Sequence, residues 1–234
     1  MLGVCMRSKL KEMPWHSLVE NSVRNPTDVN FKYIDWGLHY YPKIIKNEFI
    51  VGFHAPIIDL GNPKDKNKTC LIALKNIIDE IKGYDYLTIH LHNGREPDKD
   101  TLINNLLEIS NYAKRNNITL CIENLRTGFS SNPNNVVEMA DICDCNITFD
   151  IGHVGYNDRE EFIDLFSDRI YNVHVYELEK DNIGHIAPDN LDNLRPILDK
   201  LLDNKCDFWL IELMKLDEII HTKNLLKNYL NDHK

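Results

Sequence analysis

No stretch of this 234-residue chain approaches the roughly 20 consecutive apolar residues that a membrane-spanning helix needs. The N-terminal MLGVCMRSKLKEM also lacks an apolar core followed by a small-residue cleavage site. A cytoplasmic protein without membrane contact is therefore expected. There is no G-x-G-x-x-G, no G-x-x-x-x-G-K-[ST], no G-x-S-x-G and no H-E-x-x-H, so readings based on nucleotide cradling or a serine nucleophile have no motif behind them. Positive charge is not in excess: 27 Lys and Arg stand against 36 Asp and Glu, a net charge of −9. A polyanion would thus find no general attraction and would need a local basic patch. The six cysteines are scattered rather than arranged as a disulfide framework. Cys5 and Cys121 fall in apparent buried strands, where a thiol acts as a small hydrophobe. The Cys143-x-Cys145 spacing is weak as a metal motif and reads as packing. No repeat, low-complexity tract or Gly/Ser/Pro-rich linker divides the chain, so residues 1–234 are read as one domain.

What the chain does have is alternation. Short β-rich runs at Leu2 to Met6, Tyr33 to Leu38, Phe49 to His54, Tyr86 to His92, Ile118 to Glu123, Ile147 to Ile151, Ile170 to Val175 and Phe208 to Glu212 are separated by longer stretches. Helical spacing marks several of these stretches: Leu71, Leu74, Ile78 and Ile81 share one face, as do Leu102, Leu106, Ile109 and Ala113, and Leu216, Ile219 and Ile220 begin a last helix. Strand and helix in turn imply βα units and a parallel sheet, and this number of strands closes an α/β barrel of the (β/α)8, or TIM, type. The segment from Tyr40 to Glu48, short and interrupted by Pro42, fits a crossover helix least well.

The polar residues sit where such a barrel would use them. His54, His92, Glu123, Asp150, His174 and Glu212 each close a β-rich run, at intervals of roughly 24 to 38 residues, about one βα unit. Those ends share one mouth, the C-terminal face where barrel active sites lie. Alternation places Thr119, Cys121 and Glu123 on one face of their strand, and Thr88, His90 and His92 on one face of theirs. Buried carboxylates are costly unless paired or bound to a cation. Carboxylates and imidazoles crowded at one mouth, without Lys or Arg at the same strand ends, therefore point to a divalent metal. The mixed oxygen and nitrogen donors suit Zn or Mn best and admit Mg. His16, His39, His221 and His233 fall outside this pattern and read as surface or packing residues.

These segments resemble the xylose isomerase-like TIM barrels, a group that includes sugar phosphate isomerases and epimerases and the endonuclease IV type of apurinic-site nuclease, AP endonuclease family 2. The likeness runs in order through Phe53-His54-Ala55-Pro56, His92-Asn93-Gly94, Cys121-Ile122-Glu123-Asn124, Phe149-Asp150-Ile151-Gly152-His153, Val173-His174-Val175-Tyr176-Glu177, His185-Ile186-Ala187-Pro188 and Leu210-Ile211-Glu212-Leu213. The resemblance implies that Glu123, Asp150, His174 and Glu212 hold the shared metal, and that His153 meets the substrate or supports that site. In the nuclease type, His54 and His92 would hold an additional zinc bridged by Glu123, and His153 and His185 would belong to a third. The sequence departs from the nuclease pattern at Ile183, where that third zinc takes an Asp, so a weak third site is expected. It also reads Pro188-Asp189-Asn190 where the group often has a glycine-rich turn.

Two activities follow from the resemblance. One is an isomerase or epimerase that moves a proton next to the carbonyl of a small sugar or sugar phosphate through an enediolate. Glu123 and Glu212 would shuttle the proton and His153 would orient a hydroxyl. His54, His92 and His185 would line the substrate, with Arg126 gripping a distal phosphate or carboxylate. The other is a zinc phosphodiesterase acting on abasic DNA, the only reading that calls for a nucleic-acid partner. A non-catalytic metal-binding barrel is a third reading. The substrate, the number of metal ions and the oligomeric state are not encoded legibly.

Overall fold

The computed structural model describes all residues except 8–30, 32, 40–43, 47, 66–67, 92–95, 207 and 234. Strands β1 (Leu2–Arg7), β2 (Ile34–Gly37), β3 (Ile50–His54), β4 (Tyr86–Ile89), β5 (Thr119–Glu123), β6 (Asn146–Asp150) and β7 (Ile170–Val175) are joined by β10 (Phe208–Ile211) in a closed barrel of order β1-β10-β7-β6-β5-β4-β3-β2. Every pairing within it is parallel. The eight strands expected from the sequence are those of the barrel, with ends shifted by at most one residue except in β4. The largest shift is in β4, which leaves the sheet after Ile89 rather than running to His92. Tyr40 to Glu48 lies largely outside the described residues.

The outer layer holds α1 (Thr69–Glu80), α2 (Lys99–Arg115), α3 (Pro133–Cys143), α4 (Arg159–Phe166), α5 (Arg195–Asp203) and α6 (Leu216–Asp232). The starts of α2 and α3 are set by side chains. Asp98 accepts the Thr101 amide at 2.9 Å and Asn132 accepts the Asn134 amide at 3.0 Å, each satisfying a donor left over at a helix N-terminus. Pro133 follows at the first helical position, where its missing N–H costs nothing. The expected faces are the ones buried: Leu71, Leu74 and Ile78 on α1, and Leu102, Leu106, Ile109 and Ala113 on α2.

One element was not expected. Between β7 and α5, β8 (Leu178–Lys180) and β9 (Gly184–Ile186) form an antiparallel hairpin above the barrel mouth. Its turn has Asn182 and Gly184 at positive φ, 60° and 84°, the conformation these residue types tolerate best. The turn chemistry of Asp181-Asn182-Ile183-Gly184 was visible in the sequence, but three-residue strands carry too little periodicity to be recognised.

Inside the barrel, bulky rings fill space left by small residues. A Cβ on Gly52 would lie 2.3 Å from the Tyr86 ring, so β3 needs glycine there for the ring to enter the interior. The Tyr86 hydroxyl donates to Asp35 Oδ2 at 2.7 Å. The cysteines are free thiols, and Cys143 and Cys145 are packed in the core. Among the described residues no helix is long and apolar enough to cross a membrane.

Candidate metal centre at the barrel mouth

Glu123, Asp150 and His174 end or nearly end β5, β6 and β7, and Glu212 follows β10 directly. All are buried, with exposures of 1%, 0%, 0% and 6%. One donor atom from each lies within 4.8 Å of all the others. His174 Nδ1 stands 2.9 Å from Glu123 Oε1, 3.0 Å from Glu212 Oε2 and 3.6 Å from Asp150 Oδ2. Despite these distances, neither ring nitrogen of His174 makes a hydrogen bond, and nor does Asp150 Oδ2. Buried polar atoms without partners are costly. Here one donor atom from each of the four residues converges, all within 4.8 Å of one another, about the spread that metal–oxygen bonds of about 2.1 Å to one ion allow. Three carboxylates and one imidazole in this arrangement fit a divalent cation.

The surroundings orient these donors. His54 and His90 both donate from Nε2 to Glu123 Oε2 at 2.7 Å, leaving Oε1 turned to His174. Asn124 anchors the neighbouring strand: its amide donates to the Asp150 carbonyl at 2.9 Å and its side-chain oxygen accepts the Asp150 N–H at 2.8 Å. Asp150 Oδ1 in turn accepts the His153 N–H at 2.9 Å, closing the tight Asp150-to-His153 turn. Gly152 is required in that turn, because a Cβ would fall 1.9 Å from the Tyr176 ring packed below it.

Burial alone would raise the Glu123 pKa, but the His54 and His174 imidazoles outweigh it and hold the carboxyl well below its usual range. Burial likewise works against a charged His174, yet Cys5 and the Glu212 and Glu123 carboxylates hold its pKa well above the ordinary value. His90 is pushed down by burial.

His90 and His39 join the residues that the sequence singles out at this mouth. His92 lies outside the described residues, and the contact to Glu123 is made by His90, which register carries one step beyond the Ile89–Ile122 pair. His90 is legible in the sequence as the same-face neighbour of His92. His39, read as a surface or packing residue, lies against His54 with tilted rings whose centroids are 4.0 Å apart, and the donors of His39, His54 and His90 come within 4.8 Å of one another. It stands two residues after β2, and β2 borders β3 in the barrel. His16 lies outside the described residues. His221 is exposed, and His233 stacks on Tyr229 far along the chain from the mouth.

One correction concerns His153 and His185. Without an Asp at 183 they were expected to lack a carboxylate. Ile183 indeed points to solvent at the hairpin tip, 71% exposed. The carboxylate comes instead from Glu179, paired with His185 across the hairpin. The donors of His153, Glu179 and His185 lie within 4.8 Å of one another. His153 is well satisfied: Nδ1 donates to the Asn124 carbonyl at 2.8 Å, and Nε2 lies 3.3 Å from Glu179 Oε2. Burial opposes its charge, but Asp150 and Glu179 raise its pKa to about 10. His185 Nδ1 donates to the Glu212 carbonyl at 2.7 Å, tying the hairpin to the metal-site strand. The Arg126 guanidinium pairs with Glu179 at 3.3 Å and with Asp181.

Comparison with known proteins agrees with this architecture. The chain is 53% identical over 232 residues to an uncharacterized protein of Methanocaldococcus jannaschii, covering 98% of this chain and 96% of that one. Among solved structures, a D-tagatose 3-epimerase-like protein superposes with a TM-score of 0.77 at 18% identity, covering 98% and 97% of the two chains. A xylose isomerase-like TIM barrel protein from Mycobacterium smegmatis, in complex with magnesium, gives 0.69 at 14%, covering 96% and 95%. The family model described as xylose isomerase-like TIM barrel matches residues 44–220, and the chain belongs to that family.

Proposed function

We propose that this protein is a divalent-metal-dependent isomerase or epimerase of a small sugar or sugar phosphate, acting by proton transfer next to a carbonyl through an enediolate. The observation that carries the reading is the set of unpartnered donor atoms on Asp150 and His174, facing the carboxylates of Glu123 and Glu212. The structural neighbours named as epimerases support it. A cation held by Glu123, Asp150, His174 and Glu212 would supply Lewis acidity, polarising a substrate carbonyl and acidifying the adjoining C–H.

The remaining chemistry belongs to the chain. Glu123 and Glu212 come from strands separated by β6 and β7, so they approach a substrate carbon from different sides. One can take the proton as the other returns it, inverting the centre, or a single carboxylate can carry it to the next carbon. His54 and His90 hold Glu123 ionised and fixed, as a base requires. His153, anchored on Asn124, can orient a hydroxyl. An open cleft of about 1190 Å³ beside the hairpin, lined in part by His185, Pro188, Met214 and Lys215, offers room for the rest of a ligand. Lys215 there is paired with Glu218 at 2.7 Å, and Arg126 is likewise engaged by carboxylates. A distal phosphate would have to displace those partners.

The test is solvent exchange. The metal-loaded protein should wash deuterium from D2O into the carbon next to the carbonyl of an accepted ketose, as read by NMR. Failure to exchange with a broad panel of ketoses and ketose phosphates, by protein shown to carry metal, would refute the proposal.

One observation favours the second reading, a zinc phosphodiesterase acting on abasic DNA: Glu179 restores a carboxylate beside His153 and His185, and Glu123 is already shared with His54 and His90. Three ions per chain, together with incision of an abasic duplex that Glu212→Gln eliminates, would replace the isomerase reading with this one.

A further inference from the structure

The oxygen-rich ligand set does not account for everything around His174. The imidazole has two ring nitrogens, both buried and without a hydrogen-bond partner. A histidine that binds metal through one nitrogen ordinarily donates its other N–H to a carboxylate, a backbone carbonyl or water. His174 has none of these protein partners within hydrogen-bonding geometry. What lies beside it is sulfur. Cys5 Sγ, a ring nitrogen of His174 and a carboxylate oxygen of Glu212 all lie within 4.8 Å of one another, and all three residues are buried.

The barrel's register explains this. β1, β10 and β7 are consecutive around the sheet. The Val4–Ile211 pair places Cys5 level with Glu212, and the Leu210–His174 pair places His174 on the far side of the same strand. Cys5 belongs to the small apolar cluster of the barrel interior, with Tyr86, Cys121 and Leu210, so its side chain points inward rather than to the helices. Strands β1 and β7, on either side of β10, thus place a thiol and an imidazole beside Glu212 in the buried interior.

We propose that Cys5, His174 and Glu212 form a sulfur-containing metal site at the inner edge of the mouth, and that Cys5 is a thiolate ligand for a borderline or soft divalent ion of the zinc class. This rests on the metal-dependent reading above and deepens it. The sulfur set shares His174 and Glu212 with the set completed by Glu123 and Asp150, so the two sets compete for a single ion. Hard Mg or Mn favours the oxygen-rich set; zinc, cobalt and cadmium gain from the sulfur. Binding exchanges the Cys5 S–H bond for a sulfur–metal bond, and one proton leaves to solvent.

Cobalt(II) is the probe, because a thiolate ligand produces a charge-transfer band in the near ultraviolet that oxygen and nitrogen ligands do not. The full chain, stripped of metal and titrated with cobalt(II), should develop this band to a stoichiometric endpoint. Cys5→Ser should lose the band while keeping the weak visible bands of bound cobalt; Cys121→Ser, removing the neighbouring inner-barrel thiol, should retain it. Thermal unfolding shows whether each variant is folded, and Cys5→Ala provides a second test should the serine variant not be. Visible bands without a charge-transfer band in the unaltered protein would overturn the sulfur site and leave the isomerase reading standing. A band that survives in folded Cys5→Ser or Cys5→Ala would also overturn it. No cobalt uptake at all would remove both.

Discussion

Glu179 Oε2 lies 3.3 Å from Nε2 of His153, joining the β8–β9 hairpin to the turn that follows β6. The contact couples a side chain beside the candidate metal centre to a hairpin outside the barrel sheet. It also has a measurable pH signature. His153 has its pKa raised to about 10, chiefly by Asp150 and Glu179 working against burial, from an ordinary value near 6.5. A raised folded-state pKa contributes stability that is fully present below the unfolded value and is lost as pH rises through the folded one. Chelator-treated protein should therefore lose stability between about pH 6.5 and pH 10, measured by urea unfolding. His153→Gln should flatten that slope; an unchanged slope would show that the pair is not what stabilises the chain.

Glu123→Gln should abolish turnover and leave the fold largely intact. The amide keeps the shape but loses the charge that a cation and the His54 and His90 donors require. Circular dichroism with a deuterium-exchange assay separates the two effects. An unfolded variant would mark Glu123 as structural instead.

Asp150→Asn should weaken zinc or manganese binding by at least tenfold in calorimetric titration. It removes a charged donor from a buried set in which Asp150 Oδ2 has no other partner. Unaltered affinity would place the cation elsewhere.

Gly152→Ala should both destabilise the protein, by about 1–3 kcal/mol as overpacking does, and impair metal binding. The new Cβ would collide with the Tyr176 ring and push on the turn that carries Asp150 and His153. Tyr176→Leu should relieve the collision and recover part of the stability in the double variant.

Leu106→Ala, far from the mouth on the buried face of α2, should cost about 3 kcal/mol in unfolding free energy and leave metal affinity unchanged. A matching loss of affinity would mean that the site depends on global packing more than its local hydrogen bonds imply.

How much of this was legible beforehand follows from the range of the forces involved. Strand and helix alternation, the apolar faces of α1 and α2 and the strand-end positions of Glu123, Asp150, His174 and Glu212 are local patterns. A period of two or of 3.6 and the cost of burying an unpaired carboxylate are written in neighbouring residues, so the sequence by itself determined the barrel and nominated its candidate metal ligands. The tertiary structure alone decided which second-rank residues reach those ligands. His90 meets Glu123 because β4 and β5 pair in register up to Ile89 and Ile122, one step before these two residues. His39 joins His54 because β2 lies beside β3 in the closed barrel. Glu179 fills the place that Ile183 could not, because an antiparallel hairpin sets it opposite His185. Cys5, at the other end of the chain from Glu212, becomes its neighbour only when β1 and β10 close the ring. Each of these is a contact between residues distant in sequence, and only sheet register and closure bring them within reach.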